Sequence, residues 1–221
     1  METIQLLPTA ELSAEDAARF DALQAKLNAL WQTIGRTDPG GAIQQANSLV
    51  VLPSLTADIE LPGSFHQVYE ERFMFMLFLL RQPNLRIIYL TSQQVQEEVI
   101  EYYLQFLPDV IMSSARKRLM MVSPEDGTPR ALVYKILERP RLLEQIRSLI
   151  GDPDRAHLVP FLTTNLEREL TLQLGIPMYA ADPRYFAFGS KSGGRRLFAE
   201  EASPTRLVTV ICTARKSWPG R

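Results

Sequence analysis

The chain has 221 residues, 46% apolar and 22% charged, with a formal net charge of −1. This is an ordinary globular balance with room for one or two domains and a full core, and it is too nearly neutral to draw the chain towards nucleic acid or an acidic membrane. Cys212 is the only cysteine, which excludes an internal disulfide and a cysteine-built zinc site and fits a reducing cytoplasm, while the two histidines, His66 and His157, lack metal-ligand spacing.

Met1 leads into TIQLLPTAELSAED with neither a basic start nor a long apolar stretch, so no secretory signal is expected. Residues 13–35 read as a first helix. Ser13 and Asp16 form a capping box, and Phe20, Leu23, Leu27, Leu30, Trp31 and Ile34 recur at three- and four-residue spacing. The breaker-rich link GRTDPGGA follows at 35–42. From residue 48, strand and helix alternate. SLVVLPS (48–54) is a short apolar strand, and 66–81 reads as a helix that is apolar nearly all round in its second half. Within it, Phe73–Leu80 is the longest apolar run, eight residues. A membrane helix needs about 20, so this run is expected inside a core, with Phe73, Phe75 and Phe78 as core residues. LRIIYLTS (85–92) is the next strand, 93–107 an amphipathic helix, and RLMMVSP (118–124) a strand ending in the turn EDGTP. A helix over 140–150 has Pro140 near its start, where a missing N–H does no harm. AHLVPFLTTN (156–165) is a strand limited by Pro160, 165–175 is a helix closed by Gly175, and RYFAFGS (184–190) is expected to be a last strand.

This alternation of near-continuously apolar strands with helices predicts an α/β, Rossmann-like fold. It would be a mostly parallel sheet with helices on both faces, preceded by the N-terminal helix. The strands end in small polar residues: Pro53-Ser54, Thr91-Ser92-Gln93, Thr163-Thr164-Asn165 and Gly189-Ser190-Lys191-Ser192. In a parallel sheet these ends share one edge, where ligands bind; serine, threonine and asparagine there also serve simply as helix N-caps.

The turn at 189–194, G-S-K-S-G-G, has neither the Walker nor the dinucleotide glycine spacing. It still offers a phosphate close backbone approach, the N–H groups of a following helix, and the charge of Lys191. An ordinary capped surface turn has the same appearance. Among the other charged groups, Tyr69-Glu70-Glu71-Arg72 reads as a helix turn whose charges are solvated or paired. Arg116-Lys117-Arg118 reads as a wet basic loop that can also hold an anion, and Glu138-Arg139-Pro140-Arg141 as a helix entry.

The stretches YEERFMFMLFLLRQPNLRIIYLTSQ (69–93), KILERPRLLEQIR (135–147) and GSKSGGRRLFAEE (189–201) carry the motifs YEER, LTSQ, LERPR and GSKSG. Together with LVVLPSLTADIE (49–60), YYLQFLPD (102–109) and LGIPMYAADP (174–183), they make roughly residues 45–201 resemble the N-terminal region of ATP-grasp carboxylate–amine ligases of the pheganomycin peptide-ligase type. The resemblance implies an N-terminal helix and linker at 1–44, a pre-ATP-grasp α/β domain at 45–188, and the start of an ATP-grasp domain at 189–201. It implies a ligase that phosphorylates a small carboxylate with ATP and joins it to an amine, with Lys191, and after it Ser190 and Ser192, contacting ATP. It also implies magnesium, whose ligands and most nucleotide contacts belong to sequence after the GSKSG helix. The chain alone is then expected to be inactive, in need of the rest of the ATP-grasp domain or a partner ligase subunit. The alternative is a stand-alone Rossmann-like module that docks on a partner ligase or binds a small anion.

Residues 202–221, ASPTRLVTVICTARKSWPGR, do not continue that pattern. Back-translated one base earlier, they permit G-V-P-H-P-A-G-Y-G-D-L-H-R-A-E-E-L-A-G-P, and the G-V-P-H-P opening is what the family pattern expects after LFAEE. Trp218 followed by Pro219 forces alanine in that frame, and Thr205 after Pro204 leaves only tyrosine, histidine, asparagine or aspartate. A one-base slip near the codon of Glu201 is the expectation this supports. The other is a terminal strand that pairs on the sheet edge.

Overall fold

The computed structural model describes residues 13–34, 47–56, 63–107, 112–185, 188 and 191–200. The expected linker at 35–42, Ser190 and the tail at 202–221 lie outside the described residues. The chain divides into two compact units, Met1–Pro183 and Arg184–Arg221.

In the first unit, β1 (Asn47–Leu52), β2 (Leu85–Leu90), β3 (Leu119–Val122) and β4 (Ala156–Pro160) form one all-parallel sheet in the order β3-β2-β1-β4. Central β1 sets Val50 opposite Ile88 on one side and opposite Leu158 on the other. Side chains alternate between two cores, as the strand period of two requires. Val50, Leu52, Ile88, Leu90 and Leu158 face one core, and Leu49, Val51, Ile87 and Tyr89 the other. Burial on both faces explains why these strands are continuously apolar.

The first core is covered by α1 (Ala14–Ile34), α5 (Leu132–Leu137), α6 (Pro140–Ile150) and α7 (Asn165–Leu174). The expected Ser13–Asp16 capping box forms in its N-cap half: Asp16 N donates to Ser13 Oγ at 3.1 Å, and Ser13 Oγ donates to Asp16 Oδ2 at 2.9 Å. Phe20 of α1 is buried in this core. Gln24 fastens α1 to the chain beyond α7, its amide accepting from Met178 N at 2.7 Å and donating to Met178 O at 2.9 Å. Gly175 ends α7 with φ +70°, a left-handed conformation natural to glycine.

The second core is covered by a 3-10 helix (Phe73–Arg81) that runs on from α2 (Gly63–Arg72), by α3 (Glu97–Gln105), and by Ala115 of α4 (Met112–Lys117). Here the structure corrects the sequence reading. The run at 73–81 winds with three residues per turn, so Met74, Leu77 and Leu80 are its buried residues, with Phe73 and Met76 packed partly against the same core. Phe75 and Phe78 are 49% and 41% exposed, not core, and Phe73 is half-buried. The inward residues recur every third position, and the tightened helix satisfies that spacing by turning the intervening phenylalanines outward. The basic run 116–118 is likewise not a wet loop. Arg116 and Lys117 end α4, and the Arg118 guanidinium donates to Leu80 O (2.7 Å), Gln82 O (2.7 Å) and Leu85 O (2.8 Å), which closes the 3-10 helix at its carbonyl end. The short helices α4 and α5 were not expected.

The strand expected from residue 184 does not begin there. Pro183–Tyr185 is a 3-10 turn, with proline at the first helical position that its fixed φ suits. In the second unit, α8 (Lys191–Glu200) follows. No described helix is long and apolar enough to cross a membrane.

Leu77→Ala is expected to lower the unfolding free energy by about 2–5 kcal/mol through loss of transfer energy and an unfilled cavity. Phe78→Ser is expected to cost under about 1 kcal/mol as a surface change. Urea titrations of the two variants check the 3-10 register, and equal losses would contradict it.

Candidate functional site

In the order β3-β2-β1-β4 the chain leaves β1 towards β2 and comes back to its other side at β4. A ligand crevice is therefore expected between the carboxyl ends of β1 and β4. The structure fills that place with side chains. Thr56 Oγ1 donates to Glu167 Oε1, while Thr164 N (2.8 Å) and Thr164 Oγ1 (2.5 Å) both donate to Glu167 Oε2. Thr56 spends its proton on the carboxylate, so Ser54 Oγ donates to Thr56 Oγ1 (2.8 Å) and itself accepts from Val133 N at the start of α5 (3.1 Å). The chain Val133 N–H, Ser54, Thr56, Glu167 thus ties the loop after β1 to two helices. Thr164 is the N-cap of α7 and Glu167 its third residue, so the capping reading holds for this strand end. Burial pushes the Glu167 carboxyl upward, and the bonds from Thr164 and Thr56 pull it back.

A second carboxylate organises the other half of the edge. Glu70 of α2 is 1% exposed. Its Oε2 accepts from Ser92 N (2.6 Å) and its Oε1 from Ser92 Oγ (2.7 Å), while Tyr89 Oη donates to the Glu70 carbonyl (2.7 Å). Lys135 of α5 is completely buried and donates to Ser92 Oγ (2.9 Å) and to Asp126 O (2.7 Å). The Asp126 backbone N–H returns to Ser92 O (2.8 Å), and the Asp126 carboxylate takes Arg139 Nη2 at 2.7 Å. Glu70 of YEER, Ser92 of LTSQ, and Lys135 and Arg139 of KILERPR, far apart in sequence, meet in this one network.

The electrostatics follow from burial. Loss of water pushes Glu70 up from an ordinary 4.5 to about 7, although Ser92 and Lys135 pull it down. Burial lowers Lys135, and the charges of Glu70 and Asp126 oppose that. Bonds from Thr128, then the Arg139 guanidinium, hold Asp126 well below the usual carboxylate range. Buried His66, one helical turn before Glu70, is lowered by burial and by the Lys135 charge.

The remaining sequence candidates fall out as follows. Glu71 Oε1 accepts from Gln67 Nε2 one turn earlier (2.9 Å), so it is paired within its helix. Glu138 pairs with Arg130, with contacts of 2.8 and 2.5 Å. Lys191 opens α8 in the second unit, with Ser192 next to it and no acidic residue in the first turn. The side chains of Lys191 and Ser192, like all of Ser190, lie outside the described residues. Three buried residues, Glu70, Lys135 and Glu167, deserve more weight than sequence reasoning allowed them. The signal for Glu167 was present in T-N-L-E, a capping-box spacing at 164–167; nothing local marked Lys135.

Two curated proteins share part of this chain. Over 131 residues it is 28% identical to the L-propargylglycine–L-glutamate ligase of Streptantibioticus cattleyicolor, a match that takes in 58% of this chain and 27% of the ligase. Over 150 residues it is 27% identical to IQ motif-containing protein H of Danio rerio, taking in 61% of this chain and 14% of that protein. The match thus spans about a quarter of the first relative and about a seventh of the second. The likeness to a ligase is distant. No family model and no solved structure matches the chain.

Because the folded pKa of Glu70 lies above its ordinary value, the native state holds that proton more tightly than the unfolded chain does. The Glu70 contribution to stability is therefore complete below about pH 4.5 and is lost as pH rises towards about 7. Carbon-13 titration of the Glu70 carboxyl is expected to show a midpoint near 7, displaced upward in Lys135→Met. A midpoint below pH 5 would remove desolvation as the dominant influence.

Proposed function

We propose that this chain is the N-terminal portion of an ATP-dependent carboxylate–amine ligase. On this reading residues 45–188 are its pre-ATP-grasp α/β domain, residues 1–44 an N-terminal helix and linker, and residues 189–201 the entry to the ATP-grasp domain. The observation that carries the reading is the convergence of YEER, LTSQ and KILERPR on one buried network at the carboxyl edge of a parallel sheet. The partial likeness to a ligase that joins L-propargylglycine and L-glutamate supports it. Such a network makes a stiff wall for an active site and leaves the reacting groups to be supplied from elsewhere.

ATP would meet this chain at the turn before α8, where Lys191 supplies charge and the helix N-terminus supplies unpaired N–H groups, with Ser190 and Ser192 beside it. The described residues hold no group of three or more potential metal-ligating side chains. The reading assigns the magnesium ligands to an ATP-grasp domain encoded beyond the one-base slip, or to a partner subunit, acting in the cytoplasm. Exposed rings support such a covering partner. Phe78, Tyr102 and Phe106 are 41%, 56% and 54% exposed and stack edge-on at 6.5 and 4.9 Å.

The gene itself tests the proposal. DNA following the Glu201 codon is expected to encode, one frame back, a continuation beginning Gly-Val-Pro-His-Pro and then an ATP-grasp domain; absence of such a domain in any frame and in neighbouring genes overturns it. In the restored enzyme Lys191→Ala is expected to lower kcat/KM for ATP by about a hundredfold, the loss typical of one electrostatic clamp. Chain 1–221 by itself is expected to form no amide from ATP.

A further inference from the structure

At the carboxyl edge Thr56, Ser92 and Thr164 spend their hydroxyls on the two buried carboxylates. Thr91 does not. It is 1% exposed, and its N–H is engaged with Val122 O at 3.0 Å. Its hydroxyl makes no hydrogen bond with any described residue, and it borders a cavity of about 410 Å³ between the ends of β2 and β3 and the helices α3, α4 and α6.

The charged groups on this cavity are Glu97, Arg116 and Glu125. Glu97 and Arg116 neutralise one another in a two-pronged pair, Nε to Oε1 at 2.7 Å and Nη2 to Oε2 at 3.0 Å. Glu125 has no cationic partner among the described residues, so the lining carries a net negative charge. Glu125 is also the one described non-glycine residue with a left-handed backbone, φ +53°. Its N–H donates to Ser123 Oγ (3.0 Å), and Ser123 Oγ donates to Ser92 O (3.0 Å), so the Glu70 network holds it in that conformation. A glycine would sit there without strain, yet the loop keeps a carboxylate at the cavity rim. Val95, Ile100, Met121 and Val122 supply the smaller, apolar part of a mostly polar lining.

We propose that this cavity binds a small molecule through a primary ammonium group carried on a short aliphatic body. The ammonium has three protons to place. The Glu125 carboxylate and the Thr91 hydroxyl accept from it, and the apolar part of the lining takes the hydrocarbon. The inference stands on the cavity alone and holds whether or not the chain belongs to a ligase.

The test uses nitrogen-15-labelled chain and three probes of one shape: isobutylamine, isobutanol and isobutyrate. Isobutylamine is expected to shift the amide signals of Thr91, Ser123 and Glu125 saturably, with isobutanol and isobutyrate at least about tenfold weaker, the discrimination of one charge-assisted hydrogen bond. Glu125→Gln is expected to weaken isobutylamine about tenfold. Glu125→Gly is expected to weaken it equally while raising the urea midpoint, because the backbone strain is relieved. This separates a binding role from a structural one. The proposal is overturned by any of three results: no saturable shift with isobutylamine, equal affinity for isobutanol, or unchanged affinity in Glu125→Gln.

Discussion

A carboxylate withdrawn from water must be given donors, and the donors must come from the chain segments around it. Glu70 imposes this demand on the whole β2–β3 half of the sheet edge. Its two oxygens take both the N–H and the hydroxyl of Ser92, which fixes the turn after β2. Ser92 Oγ in turn accepts from Lys135, and Lys135 also donates to the carbonyl of Asp126, which fixes the turn after β3. Removing any one member leaves a buried charge or a buried polar group without its partner. The loops here behave as parts of one structure, despite belonging to three separate elements.

Glu167 does the same for the other half, through Thr56, Thr164 and Ser54. The consequence is an unusual disposition of space. A doubly wound sheet ordinarily opens a crevice where the strand order reverses, and here that place is occupied by a satisfied polar plug. An open concavity lies one strand over, beyond β2 and β3, with Thr91 and Glu125 on its lining. Rigidity at the reversal point follows from the pairing of buried acceptors with donors.

Strand–helix alternation was plain in the sequence, and the four expected strands between 48 and 165 all form. The capping serines and threonines were plain too, because the spacing in S-A-E-D and T-N-L-E has a local cause. Three things were not legible. The winding of 73–81 was hidden, because a run that is apolar at every position supports a three-residue and a four-residue stripe alike, and only packing against Leu49 and Tyr89 decides. The role of Arg118 was hidden, because its acceptors at Leu80, Gln82 and Leu85 are more than thirty residues away. Glu70 looked like an ordinary helix-surface charge and nothing local marked Lys135, since the burial of each depends on a partner 65 residues away that has its own burial to satisfy. The segments that carry the motifs YEER, LTSQ and LERPR also hold the members of the Glu70 network, joined by hydrogen bonds that no local pattern announces.

The same tightening that seats Met74, Leu77 and Leu80 in the core has a cost on the other side of the 3-10 helix. Phe75 is turned outward, where it meets Phe73 edge-on at 5.1 Å, and Phe73 meets Phe161 at 5.5 Å just beyond β4. Ring-on-ring contact recovers part of the buried area that three-residue winding gives up, without returning these side chains to the interior. At the other outward position Phe78 meets Phe106 edge-on at 6.5 Å, so both exposed rings of the 3-10 helix are held by neighbouring rings.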